Sequence, residues 1–383
     1  MKSKVGFEKY EREKYIVIYP KFLKEGDTIG FVAPSFGCNI EPYKSRLISA
    51  VEKFKDMGYY VNLGPNSFAG EGVGISNTPE LCAKELVESY VNQDIDVLFS
   101  CGGGELMCET ISQVDFVTLK DAPAKWYLGY SDNTNFTFLS ATMLDRASIY
   151  GPCGDTLGMK DWHESLKNTF DIVTGKSFKV HSFDKYEVES LRNEDNPLGS
   201  YNCTEKVDIK CYVMSTKETK SGCNDAGGSL TSTDIMLTKH IDITGRLIGG
   251  CLDILSNIAG TRFDYVNQFN DKYAEDGIIW YLEACDLNVF DIRRALWHLE
   301  EAGWFKNVKG FIFGRPLNGE PMMNLDHISA VLPYTVSRYK VPVILDADIG
   351  HIPPVMPIIN GALSHVTYND GKLEIDMGCE INK

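Results

Sequence analysis

"WYLGYSDNTNFTFL", residues 126–139, is the stretch on which the fold turns. Trp126 to Tyr130 form an apolar aromatic run, and Asp132, Asn133 and Thr134 are helix-starting residues. Phe136, Phe138 and Leu139 then supply a face to bury. The pattern predicts a strand that stops at Ser131 and restarts as a helix. A serine at such a turn has two readings. Its hydroxyl caps the helix, or it is held up as a nucleophile while the following N–H groups point at whatever sits beside it. The α/β-hydrolase pattern G-x-S-x-G is not met, because Asn133 stands where the second glycine belongs.

Working outward, the same alternation recurs through the first 160 residues. "DTIGFVAPS" (27–35) reads as a strand ending in a turn, and "YKSRLISAVEKFKDMGY" (43–59) as a helix stopped by Gly58. "YYVNLGP" is a strand, "TPELCAKELVESYVNQ" (78–93) a helix, and "IDVLFSCGGG" (95–104) a strand ending in three glycines. Repeated strand–helix alternation predicts a Rossmann-like, mostly parallel sheet with helices on both faces, and ligands sit beyond the carboxyl ends of such strands. Order resumes later, with "GRLIGGCLDILSNIAGT" (245–261), the strand "DGIIWYLEAC" (276–285) and the helix "NVFDIRRALWHLEEAG" (288–303). "VKGFIFGRP" (308–316) and "VPVILDADIG" (341–350) read as further strands. The fold class is therefore α/β in two domains, with a smaller C-terminal domain. Boundaries are expected at 1–170 for the N-terminal domain, 171–242 for a polar linker or surface excursion, and 243–383 for the C-terminal domain.

A chain of 383 residues exceeds one ordinary core. Its formal net charge of −15 argues against a nucleic-acid polymer or an anionic membrane as main partner, since neither finds a neutralising surface. Eleven cysteines are scattered without a CxxC pair. The charged start, "MKSKVGFEKYEREKYIVIYP", has no hydrophobic signal core, and no stretch approaches eighteen apolar residues. The expectation is a reduced, soluble, cytoplasmic protein. Neither HExxH nor a second histidine at ligand spacing from Asp346 or Asp348 appears, so no metal is expected and no organic cofactor either.

Three further features stand beside Ser131. "CGGGE" (101–105) lets backbone approach a ligand and turn N–H groups inward, or merely makes a tight turn. It is not G-x-G-x-x-G, and "GEGVG" around Gly70, Gly72 and Gly74 follows no convincing strand. Glu283 ends the apolar run "GIIWYLE", where a carboxylate needs a partner; Arg293 or Arg294 is the bland choice. His351 lies in "DADIGHIPPVMPI", a loop fixed by Gly350, Pro353 and Pro354. His163, after Trp162, is a residue that would line a pocket.

In order along the chain, "LGYSD", the earlier "GGG" turn, "GRLIGGCLDIL", "WYLEACDLNVFDIRRALWHL" and "DADIGHIPPVMPIINGA" resemble one family of serine peptidases. It includes the LD-carboxypeptidases of murein recycling and the microcin-C-resistance hydrolases. The resemblance runs from "LKEGDTIGFVAPS" to "VTYNDGKLEI" and is loose over 175–242. It implies a Ser–Glu–His triad shared between the two domains, with the active site in the cleft between them, falling on Ser131, Glu283 and His351, and with oxyanion donors on the N–H groups of Asp132 and Gly103. LD-carboxypeptidases typically read R-G-G-Y-G where this chain has Cys101 to Glu105, so the arginine is missing. The microcin-resistance branch also lacks it and carries a longer interdomain segment with an aromatic that stacks on its nucleotide base. Tyr186 in "FDKYEVES" falls nearest that position, or else covers the core. The expected activity is hydrolysis of peptidyl- or aminoacyl-nucleotide amides. The alternatives are release of a terminal D-amino acid from murein tetrapeptides, and a binding protein without turnover. A homodimer is expected, on the ground that dimerisation would steady an interdomain cleft.

Overall fold

The structure is a computed structural model that describes residues 16–215 and 235–381. The charged stretch 1–15, residues 216–234 of the polar excursion and Cys223 lie outside the described residues. The first 150 residues supply β1 (Thr28–Val32), β2 (Tyr60–Leu63), β3 (Val97–Ser100), β4 (Trp126–Gly129) and β5 (Ser148–Tyr150). Short strands β6 (Lys179–His181), β7 (Lys185–Glu187), β8 (Cys203–Lys206), β9 (Lys210–Met214) and β10 (Ile235–Leu237) follow. The remainder supplies β11 (His240–Cys251), β12 (Ile278–Glu283), β13 (Val308–Gly314), β14 (Val343–Ala347), β15 (Ile358–Asn360), β16 (Leu363–Asn369) and β17 (Lys372–Asp376).

Two large sheets result. The first has the order β15-β5-β4-β3-β1-β2 and is parallel apart from β15, which runs antiparallel to β5. Helices join its parallel strands, and every residue of β3 and β4 is buried, as a strand covered on both faces requires. Strand order reverses between β1 and β3, which opens a crevice at their carboxyl ends. The turns after β1, β3 and β4 all end there, bringing Ser35, Gly103 and Ser131 into one neighbourhood.

The second sheet has nine strands in the order β10-β9-β14-β13-β12-β11-β16-β17-β6. Its centre, β14 to β11, is parallel, and both flanks are antiparallel. By strand count it is larger than the first sheet rather than smaller, because the segment read as a linker adds β6, β9 and β10 to its edges. That segment also folds β7 and β8 into a separate two-stranded hairpin. These strands are three to five residues long and partly exposed, so no hydrophobic period has room to register in the sequence. Among the described residues, no helix is long and apolar enough to cross a membrane.

Candidate active site

Ser131 follows β4 with φ of +62°, in the left-handed region that a side chain enters only when its surroundings hold it there. Ser131–Asn133 make one tight turn, and the helix Thr134–Thr142 begins behind it. The serine caps nothing: its Oγ lies 2.8 Å from Nε2 of His351.

Buried polar groups clamp the turn from below. Asn133 donates to the carbonyls of Gly102 (2.8 Å) and Tyr130 (3.1 Å) and accepts from the Tyr127 hydroxyl at 2.5 Å. Asp132 accepts from the Ser35 hydroxyl (2.5 Å), the Met107 N–H (2.8 Å) and Asn135. Burial pushes the Asp132 carboxyl up to about 6, and those hydrogen bonds restrain the rise. The glycine turn after β3 packs against this assembly. A side chain at Gly103 would stand 3.5 Å from Ser131 Oγ, and the Gly103 carbonyl accepts the Phe36 N–H at 2.6 Å. Gly104 has φ of +133°, and a Cβ there would lie 1.9 Å from Ser35 Oγ, so only glycine fits.

The other two residues come from the second sheet. Glu283 ends β12 with 2% exposure, and its Oε2 lies 2.8 Å from Nδ1 of His351. It does not meet the arginines: Arg293 donates to the Ser329 carbonyl and Arg294 pairs with Asp291. His351 sits four residues beyond β14, in a loop that passes directly over Glu283. Gly350 makes that passage possible, with φ of +104° and space for no Cβ, which would fall 2.5 Å from Glu283 Oε2. Burial alone would raise the Glu283 carboxyl. The His351 charge beside it, with hydrogen bonds from His351, Tyr150 and Cys251, holds it below its usual range instead. Burial likewise disfavours the imidazolium, yet the Glu283 carboxylate, aided by Cys285, lifts His351 well above the ordinary histidine range.

Gly103, Tyr130 and His351 open onto a cavity of about 1030 Å³ whose wall draws on both sheets and on the β7–β8 hairpin. Tyr186 is in that wall, with the Arg315 guanidinium 4.5 Å from its ring centroid. Residue 183 onward is tied to the histidine loop, since Phe183 N–H donates to Asp348 Oδ2 (2.8 Å) and Glu187 N–H to the Pro353 carbonyl (2.7 Å). The lining is strongly charged but internally balanced. Arg46 pairs with Asp155 at 2.6 Å, Arg192 with Glu187, and Arg315 with Asp348 behind the wall.

The residues singled out from sequence thus meet, with one exception. His163 caps the helix Glu164–Val173, its Nδ1 accepting the Ser165 N–H at 3.1 Å, and is absent from the cavity wall. His327, the first residue of the helix His327–Val331 and not singled out from the sequence, is in the wall beside Asp346 at 3.8 Å. Tyr150 was also missed. Its hydroxyl touches both Glu283 and the Ser131 backbone, and nothing in "SIYGPCG" announces that.

Comparison with known proteins agrees with this architecture. Residues 29–151 match the LD-carboxypeptidase N-terminal domain and residues 244–366 the LD-carboxypeptidase C-terminal domain. The chain belongs to the LD-carboxypeptidase family and is a serine-type peptidase. A probable murein peptide carboxypeptidase of Bacillus subtilis is 23% identical over 368 residues, 94% of each chain. Among solved structures, the microcin self-immunity protein MccF in complex with aspartyl sulfamoyl adenosine shares the fold with a TM-score of 0.71. It is 19% identical, with 94% of this chain and 98% of that one covered. An MccF-like protein from Streptococcus pneumoniae in complex with AMP gives 0.69 at 19% identity, covering 92% and 99%.

Proposed function

We propose that Ser131, His351 and Glu283 form the catalytic triad of an amide hydrolase. The observation that carries the reading is the unbroken chain Ser131 Oγ–His351–Glu283, 2.8 Å at each step, assembled from residues 131, 283 and 351 of two sheets. With Glu283 holding the proton on Nδ1, the Nε2 lone pair of a neutral His351 faces the serine hydroxyl. Nε2 takes that proton as Oγ attacks the scissile carbonyl, and Glu283 stabilises the imidazolium that forms. His351 then returns the proton to the departing amine, and water repeats the sequence on the acyl-enzyme. The N–H groups of Asp132 and Gly103 are our candidates for the oxyanion hole. Support comes from the clamp under Asp132 and from the approach of Gly103 to Ser131. Losing one such donor costs roughly 3–4 kcal/mol.

The substrate class we favour is a peptidyl- or aminoacyl-nucleotide amide. A cavity of about 1030 Å³ holds a ligand of that size, and Tyr186 in its wall offers a base a ring to stack on. Relatives of the same fold are known in complex with aspartyl sulfamoyl adenosine and with AMP. A second reading, LD-carboxypeptidase action on murein tetrapeptides, is favoured by the Bacillus subtilis relative, matched over 94% of each chain. We take the setting to be cytoplasmic and the protein to be a homodimer. Mass spectrometry of the protein and of Ser131→Ala, each incubated with aspartyl sulfamoyl adenosine or with an L,D-linked murein tetrapeptide, separates the readings. Cleavage of the first alone, lost in the variant, supports the nucleotide reading; cleavage of the tetrapeptide alone replaces it with the second. Cleavage that persists in Ser131→Ala removes the triad.

A further inference from the structure

The triad reading leaves one buried polar group at the site unused. Tyr150 closes β5, which lies between β15 and β4 in the first sheet, and its ring is fully buried between Tyr130 and Tyr281. Its hydroxyl donates to Glu283 Oε1 at 2.5 Å and accepts the backbone N–H of Ser131 at 3.2 Å. The two oxygens of Glu283 are therefore divided, Oε1 to Tyr150 and Oε2 to His351. One hydroxyl thus joins the carboxylate of the second sheet to the nucleophile's own backbone in the first. It is satisfied both as donor and as acceptor, as a buried hydroxyl must be.

We infer, on the triad reading, that Tyr150 is a positioning residue: it fixes the Glu283 carboxylate for His351 and holds the Ser131 amide in the left-handed turn. Three consequences follow from the geometry. First, the Ser131 N–H is occupied by Tyr150, so the oxyanion donors must come from elsewhere. Second, the carboxylate has no freedom to rotate, because each oxygen is engaged. Third, Tyr150 draws electron density from the carboxylate and so limits how strongly Glu283 retains the proton of His351. The titratable and polar groups facing this pair are few. Among the described residues, around Glu283 they are His351, Tyr150, Cys251 and, more distantly, Tyr281; around His351 they are Glu283, Cys285, Ser131, the Tyr130 ring and, more distantly, Glu105.

The test is Tyr150→Phe, which keeps the ring between Tyr130 and Tyr281 and removes only the hydroxyl. Fluorophosphonate labelling of the serine, followed from pH 5 to 9 in wild type, Tyr150→Phe and Ser131→Ala, reads nucleophile activation without a chosen substrate. The maximal labelling rate of Tyr150→Phe is expected to fall about tenfold to a hundredfold, the worth of a hydrogen bond to a charged group. Its acid limb should move to higher pH by roughly half a unit to one unit, because Glu283 without its second donor binds the imidazolium proton harder. A purely structural tyrosine would lower the rate without moving that limb. Wild-type rate with an unmoved limb, or a slower rate with an unmoved limb, overturns the inference while the loss of labelling in Ser131→Ala keeps the triad standing. Labelling that survives in Ser131→Ala overturns the triad and the inference with it. Should Tyr150→Phe be too unstable to assay kinetically, the NMR titration of His351 in Ser131→Ala, with and without Tyr150→Phe, carries the same decision.

Discussion

Ser131 and His351 both stand just past the carboxyl end of a buried strand, yet they are held in different ways. The serine turn is clamped within its own sheet: Asn133 binds the Gly102 and Tyr130 carbonyls, and Asp132 binds Ser35 and Met107. The strain of its left-handed backbone falls on the serine itself. The histidine loop places its left-handed residue at Gly350, one position earlier, and takes its outside support from Phe183 and Glu187 of the excursion. The first arrangement is contained within one sheet, its most distant partner, Ser35, lying 97 positions from Asp132. The second depends on residues about 165 positions away. Substitutions at the two turns should accordingly fail in different ways.

The largest effect is expected at the serine. Ser131→Ala removes the proposed nucleophile from a turn whose other clamps are untouched, so activity should fall by on the order of 10⁴–10⁶ with the melting temperature unchanged. Steady-state rates and a thermal melt check both halves. A rate near wild type would mean that the clamped turn holds something other than a nucleophile.

Glu283→Gln comes next, at about 10⁴, since an amide leaves the imidazole in place but orients the wrong tautomer. The wild-type pH profile examines the same pair. In the proposed triad His351 acts as a base only when neutral, and Glu283 raises its affinity for the proton. The rate should therefore climb with pH through an ionisation above the ordinary histidine value of about 6.5 and lose about tenfold per unit below it. An acid limb at or below 6.5 would show that Glu283 does not hold the proton.

The same contrast explains what could be read without coordinates. Ser131, Glu283 and His351 each terminate an apolar strand of four to six residues or follow one closely, and such runs are legible as buried parallel strands. Parallel strands align their carboxyl ends within one sheet, which puts Glu283 and His351 at the same end of theirs; the meeting with Ser131 of the other sheet was implied by the family resemblance and not by the pattern. Tyr150 was not legible, because its role is a contact between sheets and "SIY" is equally good as filler for a core. The excursion failed for another reason. Its strands pair at a sheet edge or with each other, where half-exposed residues need no apolar alternation.

Gly350→Ala tests the histidine side more gently. An added Cβ meets Glu283 Oε2 at 2.5 Å in a backbone region that alanine disfavours. The strain of about 1–3 kcal/mol, together with overpacking of similar size, should lower the melting temperature and displace Glu283 from His351. Activity should drop by roughly 10², carried by kcat, because a misplaced carboxylate affects proton transfer more than binding. Melting and steady-state kinetics on one preparation suffice. Destabilisation with full kcat would show that the loop tolerates movement and that the contrast between the two turns is overstated.

The smallest effect is expected on the excursion, where the comparison between a clamp within one sheet and distant support is sharpest. Tyr186 touches no triad residue by hydrogen bond, yet it lines the cavity with Arg315 set against its ring. If a base stacks there, Tyr186→Ala should weaken AMP binding by about 1–3 kcal/mol, roughly tenfold to a hundredfold, while Tyr186→Phe should bind as wild type does. Loss of the Arg315 contact alone is worth only about 0.5–1 kcal/mol at a partly exposed ring, too little to account for the upper part of that range. Calorimetric titration of AMP into the three proteins distinguishes the cases. An unchanged affinity in Tyr186→Ala would confine the hairpin to supporting His351 through Glu187 and Pro353, and would turn the choice of substrate toward the murein tetrapeptide.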